Sequence, residues 1–248
     1  MAPYRIGLIV PSSNTTIETE VPQMLGGRER IAAERFTFHS SRMRMRTVTR
    51  EELAAMNREA DRCAVELTDA RVHAINYACL VAIMSVEPGF HRKAEAQVRM
   101  AAGPESRAAV ITSAGALVHG LQTIGARRVA IITPYIRSLT AMIEAYLAAE
   151  GIEVVDSVSL EIADNAAVGS LDPMELVEIA DRLDTRKADA LVLSACVQMP
   201  SLPAISIVEE RKKLPVVTAA ACTVFQTLQA LGLETRVPGA GALLSGRY

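Results

Sequence analysis

The sequence predicts an α/β protein made of two similar lobes, each a mostly parallel sheet flanked by helices, with the active site in the crevice between them. Short apolar runs alternate with amphipathic helical stretches along all 248 residues, a pattern typical of βαβ units and a parallel sheet. Blocks of the first half recur in the same order in the second half, which indicates internal duplication. A cysteine follows an apolar, strand-like run in each half. These observations predict two lobes related by a pseudo-twofold axis.

Three pairs of matching blocks carry the repeat. Residues 5–11 match residues 128–134, residues 110–114 match residues 216–220, and residues 121–125 match residues 228–232. One such match arises readily by chance, but three in a fixed order favour duplication. We expect residues 1–118 and 222–248 to form the first lobe and residues 119–221 to form the second.

Local signals place the elements in order. Thr49 and Glu52 have the spacing of a capping box, which predicts a helix start, and Gly125, Gly151 and Gly232 stand where helices should end. The predicted strands cover residues 4–10, 35–40, 72–77, 109–112, 128–133, 152–156, 188–194 and 215–218. The predicted helices begin at residues 16, 49, 90, 113, 138, 172, 202 and 223.

Composition points to a small-molecule partner. The chain has 26 Lys and Arg residues against 28 Asp and Glu residues, so no overall field would recruit nucleic acid or an anionic membrane. No run approaches the roughly 20 apolar residues of a membrane helix, and the first residues enter a strand pattern without the apolar core of a signal peptide. We therefore expect a cytoplasmic protein that does not bind membranes.

The cysteines suggest thiol chemistry rather than a disulfide framework or a zinc site. The four cysteines lack close paired spacing, and the cytosol keeps such groups reduced. Cys63 and Cys222 fall in or near helical runs, where a free cysteine usually serves as a small core residue. No metal site is expected, because the histidines show no ligand spacing; they are His39, His73, His91 and His119.

Cys79 and Cys196 are the candidate reactive groups. Each follows an apolar strand-like run, and open α/β sheets bind ligands at the carboxyl ends of their strands. Main-chain amides that open the next segment can lower the pKa of such a thiol. Two thiols placed in this way face one substrate from opposite sides.

Short polar residues fall at equivalent places. Ser12, Ser13 and Asn14 follow the first strand, Tyr135 follows its counterpart, and Asn165 lies in a loop. Neutral donors at these positions suit carboxylate recognition. The alternative for the first three is turn formation or helix capping.

A basic segment follows the second predicted strand. Arg42, Arg44 and Arg46 alternate with Met43 and Met45, which places the three cations on one face of an extended segment. This face is interpreted as a solvated or dimer-contact surface, with substrate steering as the alternative.

Five segments spread nearly from end to end carry a family signature: residues 10–16, 38–43, 77–82, 194–202 and 237–242. They resemble bacterial maleate cis-trans isomerases, within the aspartate/glutamate racemase superfamily that also holds arylmalonate decarboxylase. The resemblance implies cofactor-free conversion of maleate to fumarate, a homodimer or higher homo-oligomer, and a place in nicotinate degradation. It makes Cys79 the nucleophile and Cys196 the partner thiol. The predicted substrate-binding residues are Asn14, Tyr135, Asn165, Ser12, Leu80, Val81, Val197 and Gln198.

Two thiols suit this reaction because rotation about a carbon–carbon double bond is far slower than rotation about a peptide bond, whose barrier is already about 18–20 kcal/mol. Thiolate addition gives an enediolate and leaves a single bond that rotates freely. Cys196 would then protonate the adjacent carbon, or would only activate Cys79. No metal, flavin, nicotinamide or pyridoxal group is required.

Two other functions use the same cleft. Paired thiols can remove and return an α-proton from opposite faces of aspartate or glutamate, but racemase cysteines are typically followed by Asn-Thr or Thr, whereas Leu80-Val81 and Val197-Gln198 follow here. A catalytically silent dicarboxylate-binding or sensor protein is the second alternative.

Overall fold

Two four-stranded parallel sheets form the centre of the molecule in a computed structural model that describes residues 2–248. The first sheet has the order β2-β1-β3-β4 and the second has the order β6-β5-β7-β8, so the two halves share one topology. This confirms the predicted α/β fold. The strands are β1 (Tyr4–Pro11), β2 (Phe36–Met43), β3 (Ala74–Tyr77), β4 (Ala109–Thr112), β5 (Arg128–Thr133), β6 (Glu153–Ser159), β7 (Ala190–Ser194) and β8 (Val216–Thr218).

Helices connect the strands and flank both sheets. They are α1 (Ile17–Arg28), α2 (Arg50–Arg58), α3 (Ala60–Asp69), α4 (Leu80–Met84), α5 (Phe90–Ala102), α6 (Ser113–Thr123), α7 (Arg137–Ala149), α8 (Asn165–Gly169), α9 (Glu175–Asp181), α10 (Ile205–Lys212) and α11 (Ala219–Ala230). Short 3-10 turns cover Leu202–Ala204 and Ala242–Leu244. No helix within residues 2–248 is long and apolar enough to cross a membrane.

The predicted ends of three helices are confirmed. Gly125, Gly151 and Gly232 have positive φ angles of 73°, 78° and 69°, the left-handed conformation that glycine adopts at low cost after a helix. The hydroxyl of Thr49 also accepts the Glu52 N–H at 3.3 Å, as a helix cap at the start of α2.

The start of α11 differs from the prediction. The helix begins at Ala219 rather than at residue 223, because Thr218 ends β8 and caps the helix at once: its hydroxyl accepts the Ala221 N–H at 3.0 Å. Thr112 does the same between β4 and α6, accepting the Gly115 N–H at 3.0 Å. The run of alanines after Thr218 is apolar on every side, so it lacks the amphipathic pattern that marks a helix in the sequence.

Helices α6 and α11 join the two halves. They contact each other, and α11 also contacts β3 and β4 of the first sheet. The contact is close at Gly120, where an added Cβ would lie 2.7 Å from the Cys222 Sγ atom. Cys63 and Cys222 are fully buried core residues, as predicted. The lobe boundaries predicted at 118/119 and 221/222 fall inside these two helices, so the division of the chain stays a prediction.

Candidate active site

The two candidate cysteines occupy equivalent places in the two halves. Cys79 comes after β3 and immediately before α4, and Cys196 comes after β7. In each half the residue before the cysteine donates its N–H to the central strand: Ala78 to the Ile9 carbonyl at 2.8 Å, and Ala195 to the Ile132 carbonyl at 3.0 Å. The sheets therefore hold both cysteines at their carboxyl ends.

Both cysteines line one small cavity between the halves, where the empty space between the atoms, open solvent included, is about 250 Å³. Every predicted site residue except Ser12 lines it. The lining residues are Pro11, Asn14, Met45, Ala78, Cys79, Leu80, Val81, Tyr135, Asn165, Cys196, Val197 and Gln198.

Ser12 lies outside this lining and contacts it through another residue. Its hydroxyl accepts the Met45 N–H at 3.1 Å and donates to the Met45 carbonyl at 3.2 Å. Met45 is buried and lines the cavity. The structure therefore places Ser12 as a support for an apolar wall, and Met45 is a lining residue that the sequence analysis did not select.

Asn14 and Asn165 bring amide groups to the cavity. The Asn14 side-chain carbonyl accepts the N–H groups of Thr16 and Ile17, each at 3.0 Å, which is the turn formation given above as the alternative for Asn14. Its amide donates to the Val197 carbonyl at 3.4 Å. The Asn165 amide donates to the Ser13 hydroxyl at 2.8 Å. Both asparagines are thus oriented by their neighbours before any ligand binds.

Gln198 connects three segments around the cavity. Its side-chain carbonyl accepts the Thr15 N–H at 2.8 Å, and its amide donates to the carbonyls of Ser13 at 3.1 Å and Asn165 at 2.8 Å. Its own main-chain N–H points to the Cys196 sulfur at 3.3 Å. The side chain of Gln198 therefore ties the two halves together, while its main chain faces the thiol.

The basic segment lies beside the cavity with its cations outward. Arg42, Arg44 and Arg46 are exposed, whereas Met43 and Met45 are buried. This exposure supports the interpretation of a solvated face. The structure does not test dimer contact or substrate steering. Among residues 2–248, no cluster of three metal-ligating side chains could hold a metal ion.

Comparison with known proteins decides the family. A family model described as arylmalonate decarboxylase matches residues 6–244. The maleate isomerase of Geobacillus stearothermophilus is 57% identical over 247 residues, covering 99% of this chain and 98% of that protein. The Pseudomonas putida maleate isomerase is 56% identical over 246 residues, with coverage of 99% and 98%.

The chain belongs to the maleate isomerase family. Solved structures agree with this assignment and confirm the resemblance seen in the sequence. A cysteine-to-alanine variant of a Pseudomonas putida maleate isomerase, crystallised with maleate, superimposes with a TM-score of 0.98 at 53% identity, covering 100% of this chain and 99% of that chain. A cysteine-to-serine variant of the Nocardia farcinica enzyme, with a covalently bound succinylcysteine intermediate, gives a TM-score of 0.96 at 46% identity and covers 100% of both chains.

Burial controls the charge of both thiols in this member of the maleate isomerase family. It raises the pKa of Cys79 to about 12, although a hydrogen bond from the Ala82 N–H acts in the opposite direction. Burial also raises the pKa of Cys196, against hydrogen bonds from the Tyr135 hydroxyl and the Gln198 N–H. The expected lowering of the Cys79 pKa by a main-chain amide is present, but the net shift is upward because desolvation of a thiolate outweighs one amide donor.

We expect the two buried thiols to be unreactive near neutral pH. The thiolate is the nucleophile, so alkylation of Cys79 by iodoacetamide should rise about tenfold per pH unit from about pH 7 to about pH 10, without a plateau, because its pKa is about 12. Peptide mapping by mass spectrometry gives the rate at each pH. Free cysteine in the same buffers is the control, and a plateau for Cys79 near neutral pH would contradict the prediction.

Proposed function

We propose that this protein converts maleate to fumarate without a cofactor, through a covalent succinyl-cysteine intermediate. The observation that carries the proposal is the single small cavity to which one half brings Cys79 and the other brings Cys196, together with amide and hydroxyl donors. The succinylcysteine in the related Nocardia farcinica structure supports the same chemistry. The similarity to maleate isomerases at 57% and 56% identity favours this reaction over racemisation or ligand sensing.

The reaction begins from the Cys79 thiolate, which forms when the Cys79 thiol gives its proton to water. This thiolate forms a sulfur–carbon bond to one alkene carbon, and the π electrons move to the adjacent carbon and its carboxylate as an enediolate. Cys196 gives its proton to that adjacent carbon, which completes the succinyl adduct and leaves Cys196 as a thiolate. The former double bond is now a single bond and rotates.

The second half of the reaction reverses these steps. Cys196 takes a proton back from the carbon that it protonated, and the electron pair of that bond re-forms the double bond. The sulfur–carbon bond breaks, its electron pair returns to Cys79, and fumarate leaves. From the Cys79 thiolate onward, every atom and electron is accounted for by maleate, that thiolate and the Cys196 thiol, and both cysteines return to their starting states.

The remaining lining residues hold the carboxylates in this proposal. The amides of Asn14 and Asn165 and the hydroxyl of Tyr135 are donors from three separate segments. The first N–H groups of α4, at Leu80 and Val81, have no acceptor within the helix, and those of Val197 and Gln198 follow the second cysteine. Donors aimed at the enediolate are each worth about 3–4 kcal/mol by the precedent of oxyanion holes.

We further propose that the protein acts as a homodimer or higher homo-oligomer in the cytoplasm, within nicotinate degradation. All four cysteines are free thiols, which supports a reducing compartment. Charge balance supports a small dicarboxylate as partner rather than nucleic acid.

Purified protein that has been dialysed and treated with a chelator should isomerise maleate at the rate of untreated protein, because side chains and main-chain donors fill every role. Fumarate formation is followed by proton NMR. D-aspartate and D-glutamate, the matched control substrates, should remain unchanged. A lasting loss of activity that a metal or nucleotide restores would refute the cofactor-free reaction, and racemisation of either amino acid would favour the alternative enzyme class.

A further inference from the structure

A buried carboxylate of the first half accepts hydrogen bonds from the segment that follows Cys196. Glu20 lies on α1 and is only 6% exposed. One carboxylate oxygen accepts the N–H groups of Ser201 at 2.5 Å and Leu202 at 2.6 Å, and the other accepts the Ser201 hydroxyl at 3.4 Å. Glu20 thus satisfies the main-chain donors where the 3-10 turn Leu202–Ala204 begins.

Two further contacts join the start of α1 to the same segment. The Thr16 hydroxyl donates to the Gln198 carbonyl at 2.7 Å, and the Thr15 N–H donates to the Gln198 side chain at 2.8 Å. Residues 196–201 form neither helix nor strand, so contacts of this kind fix their shape. The position of the Cys196 sulfur therefore depends on α1 of the opposite half.

The two cysteines differ in this respect. Cys79 is followed directly by the regular helix α4, whose main-chain hydrogen bonds fix the shape of the segment that follows the cysteine. Cys196 is followed by an irregular segment that needs support from outside. The duplication has thus given the two thiols similar places but different kinds of support.

The charge of Glu20 acts on the pKa of Cys196 and is not among the effects on Cys79. Besides burial, the side chains that act on Cys196 are Tyr135, whose hydrogen bond favours the thiolate, and Glu20, whose charge raises the pKa of Cys196 and is the smallest of these effects. Burial also raises the pKa of Glu20 itself, so the charge is present above that raised pKa. None of the side chains described within residues 2–248 forms an ion pair with Glu20. A nearby negative charge without a counterion disfavours a second negative charge.

We propose that Glu20 is a positioning residue that fixes the Cys196 segment and, through its charge, favours the protonated form of Cys196, which then gives its proton to the adduct on Cys79. The assignment of roles rests on the proposed isomerase function. The contacts of Glu20 and its effect on Cys196 do not require a substrate, so they can be tested separately.

The first arm measures alkylation of Cys196 against pH in a Cys79→Ala background. Adding Glu20→Gln removes the charge and keeps an acceptor, so the midpoint should move down and alkylation below it should become faster. Glu20→Asp keeps the charge and should leave the midpoint in place. Glu209→Gln is the matched control, because Glu209 accepts the N–H groups of Val216 and Ala242, each at 3.0 Å, outside the cavity.

The second arm measures kcat and KM for maleate with both cysteines present. Glu20→Asp places its carboxylate one methylene short of the Ser201 and Leu202 N–H groups and should lower kcat by about a hundredfold, the cost of misplacing a reacting group by about 1 Å, with little change in KM. Glu20→Gln keeps the acceptor and should lower kcat less. Glu209→Gln should keep the original kcat. Thermal unfolding shows whether each variant is folded, and if Glu20→Gln is not, Glu20→Asp still tests positioning through its kcat.

Three results would overturn the inference: an unchanged Cys196 midpoint in Glu20→Gln, an equal shift in Glu20→Asp, or an unchanged kcat in folded Glu20→Asp. Failure of the unmodified protein to isomerise maleate would instead refute the proposed function. The alkylation arm would still decide what Glu20 does to Cys196.

Discussion

Cys79→Ala is expected to abolish isomerisation of maleate and to leave no covalent adduct on the protein. The other residues that line the cavity offer amides, a phenol, apolar side chains and Cys196, and the proposed attack belongs to Cys79 alone. The measurement is fumarate formation together with intact mass after incubation with maleate. Cys63→Ala is the matched control, because Cys63 is a buried thiol outside the cavity, and it should retain turnover.

The companion variant, Cys196→Ala, should be severely slowed and yet still form the adduct. Water can supply part of the proton transfer, whereas nothing replaces the nucleophile. Intact mass should then show a species heavier by one maleic acid, located on the peptide that contains Cys79. An adduct on Cys196 that survives Cys79→Ala would reverse the two roles. Unchanged turnover in both variants would refute thiol addition altogether.

Tyr135→Phe is expected to lower kcat by roughly 100- to 1,000-fold, the range for loss of one oxyanion donor. The hydroxyl lies in the cavity and hydrogen-bonds Cys196, and the ring is buried. Phenylalanine keeps the packing of the ring and removes only the donor. The fold should therefore persist, and circular dichroism and thermal unfolding check this.

Tyr146→Phe provides the comparison for that variant. Tyr146 is equally buried but bonds His91 and does not line the cavity. Loss of the Tyr146 hydroxyl should lower the free energy of unfolding by about 0.5–1.5 kcal/mol and leave kcat nearly unchanged. Kinetics of Tyr135→Phe that equal those of the unmodified protein would show that the Tyr135 hydroxyl has no part in the reaction.

The parts of the site that follow strands could be predicted from the sequence. A residue that ends a parallel strand is placed by local pattern alone, so Cys79 and Cys196 could be assigned to the carboxyl ends of their sheets. Their meeting in one cavity then followed from the repeat. The start of α11 could not be read in the same way, because a capping threonine inside a strand pattern followed by alanines leaves no periodic signal.

Contacts between residues far apart in the chain could not be predicted from the sequence. Glu20 on a helix looks like a solvated charge, and its partner Ser201 is 181 residues away. The alternation of Met45 with exposed arginines indicates that Met45 lies on a buried face. The pattern does not indicate which part of the molecule that face contacts. Whether a hydroxyl such as that of Ser12 points to a ligand or to Met45 depends on packing that no local pattern contains.

The pKa shifts of the thiols could not be predicted from the local sequence either. A main-chain donor to Cys79 could be expected from the turn that follows β3, and the Ala82 N–H supplies it. The degree of desolvation is set by both halves closing over the sulfur. Because the net shift is the difference between these two effects, its direction could not be predicted from the turn alone.

The pairing of α6 with α11 means that neither half is a self-sufficient unit. Nearly all of α11 is buried, and it covers β3 and β4 of the opposite sheet, so a half expressed as a fragment would present large apolar faces to water. Two identical fragments could cover each other, but symmetry would then give both thiols the same surroundings. Joining two unlike halves in one polypeptide removes that constraint. One thiol of this chain can therefore act as nucleophile and the other as proton donor, whereas the two thiols of a symmetric pair of fragments would have identical properties.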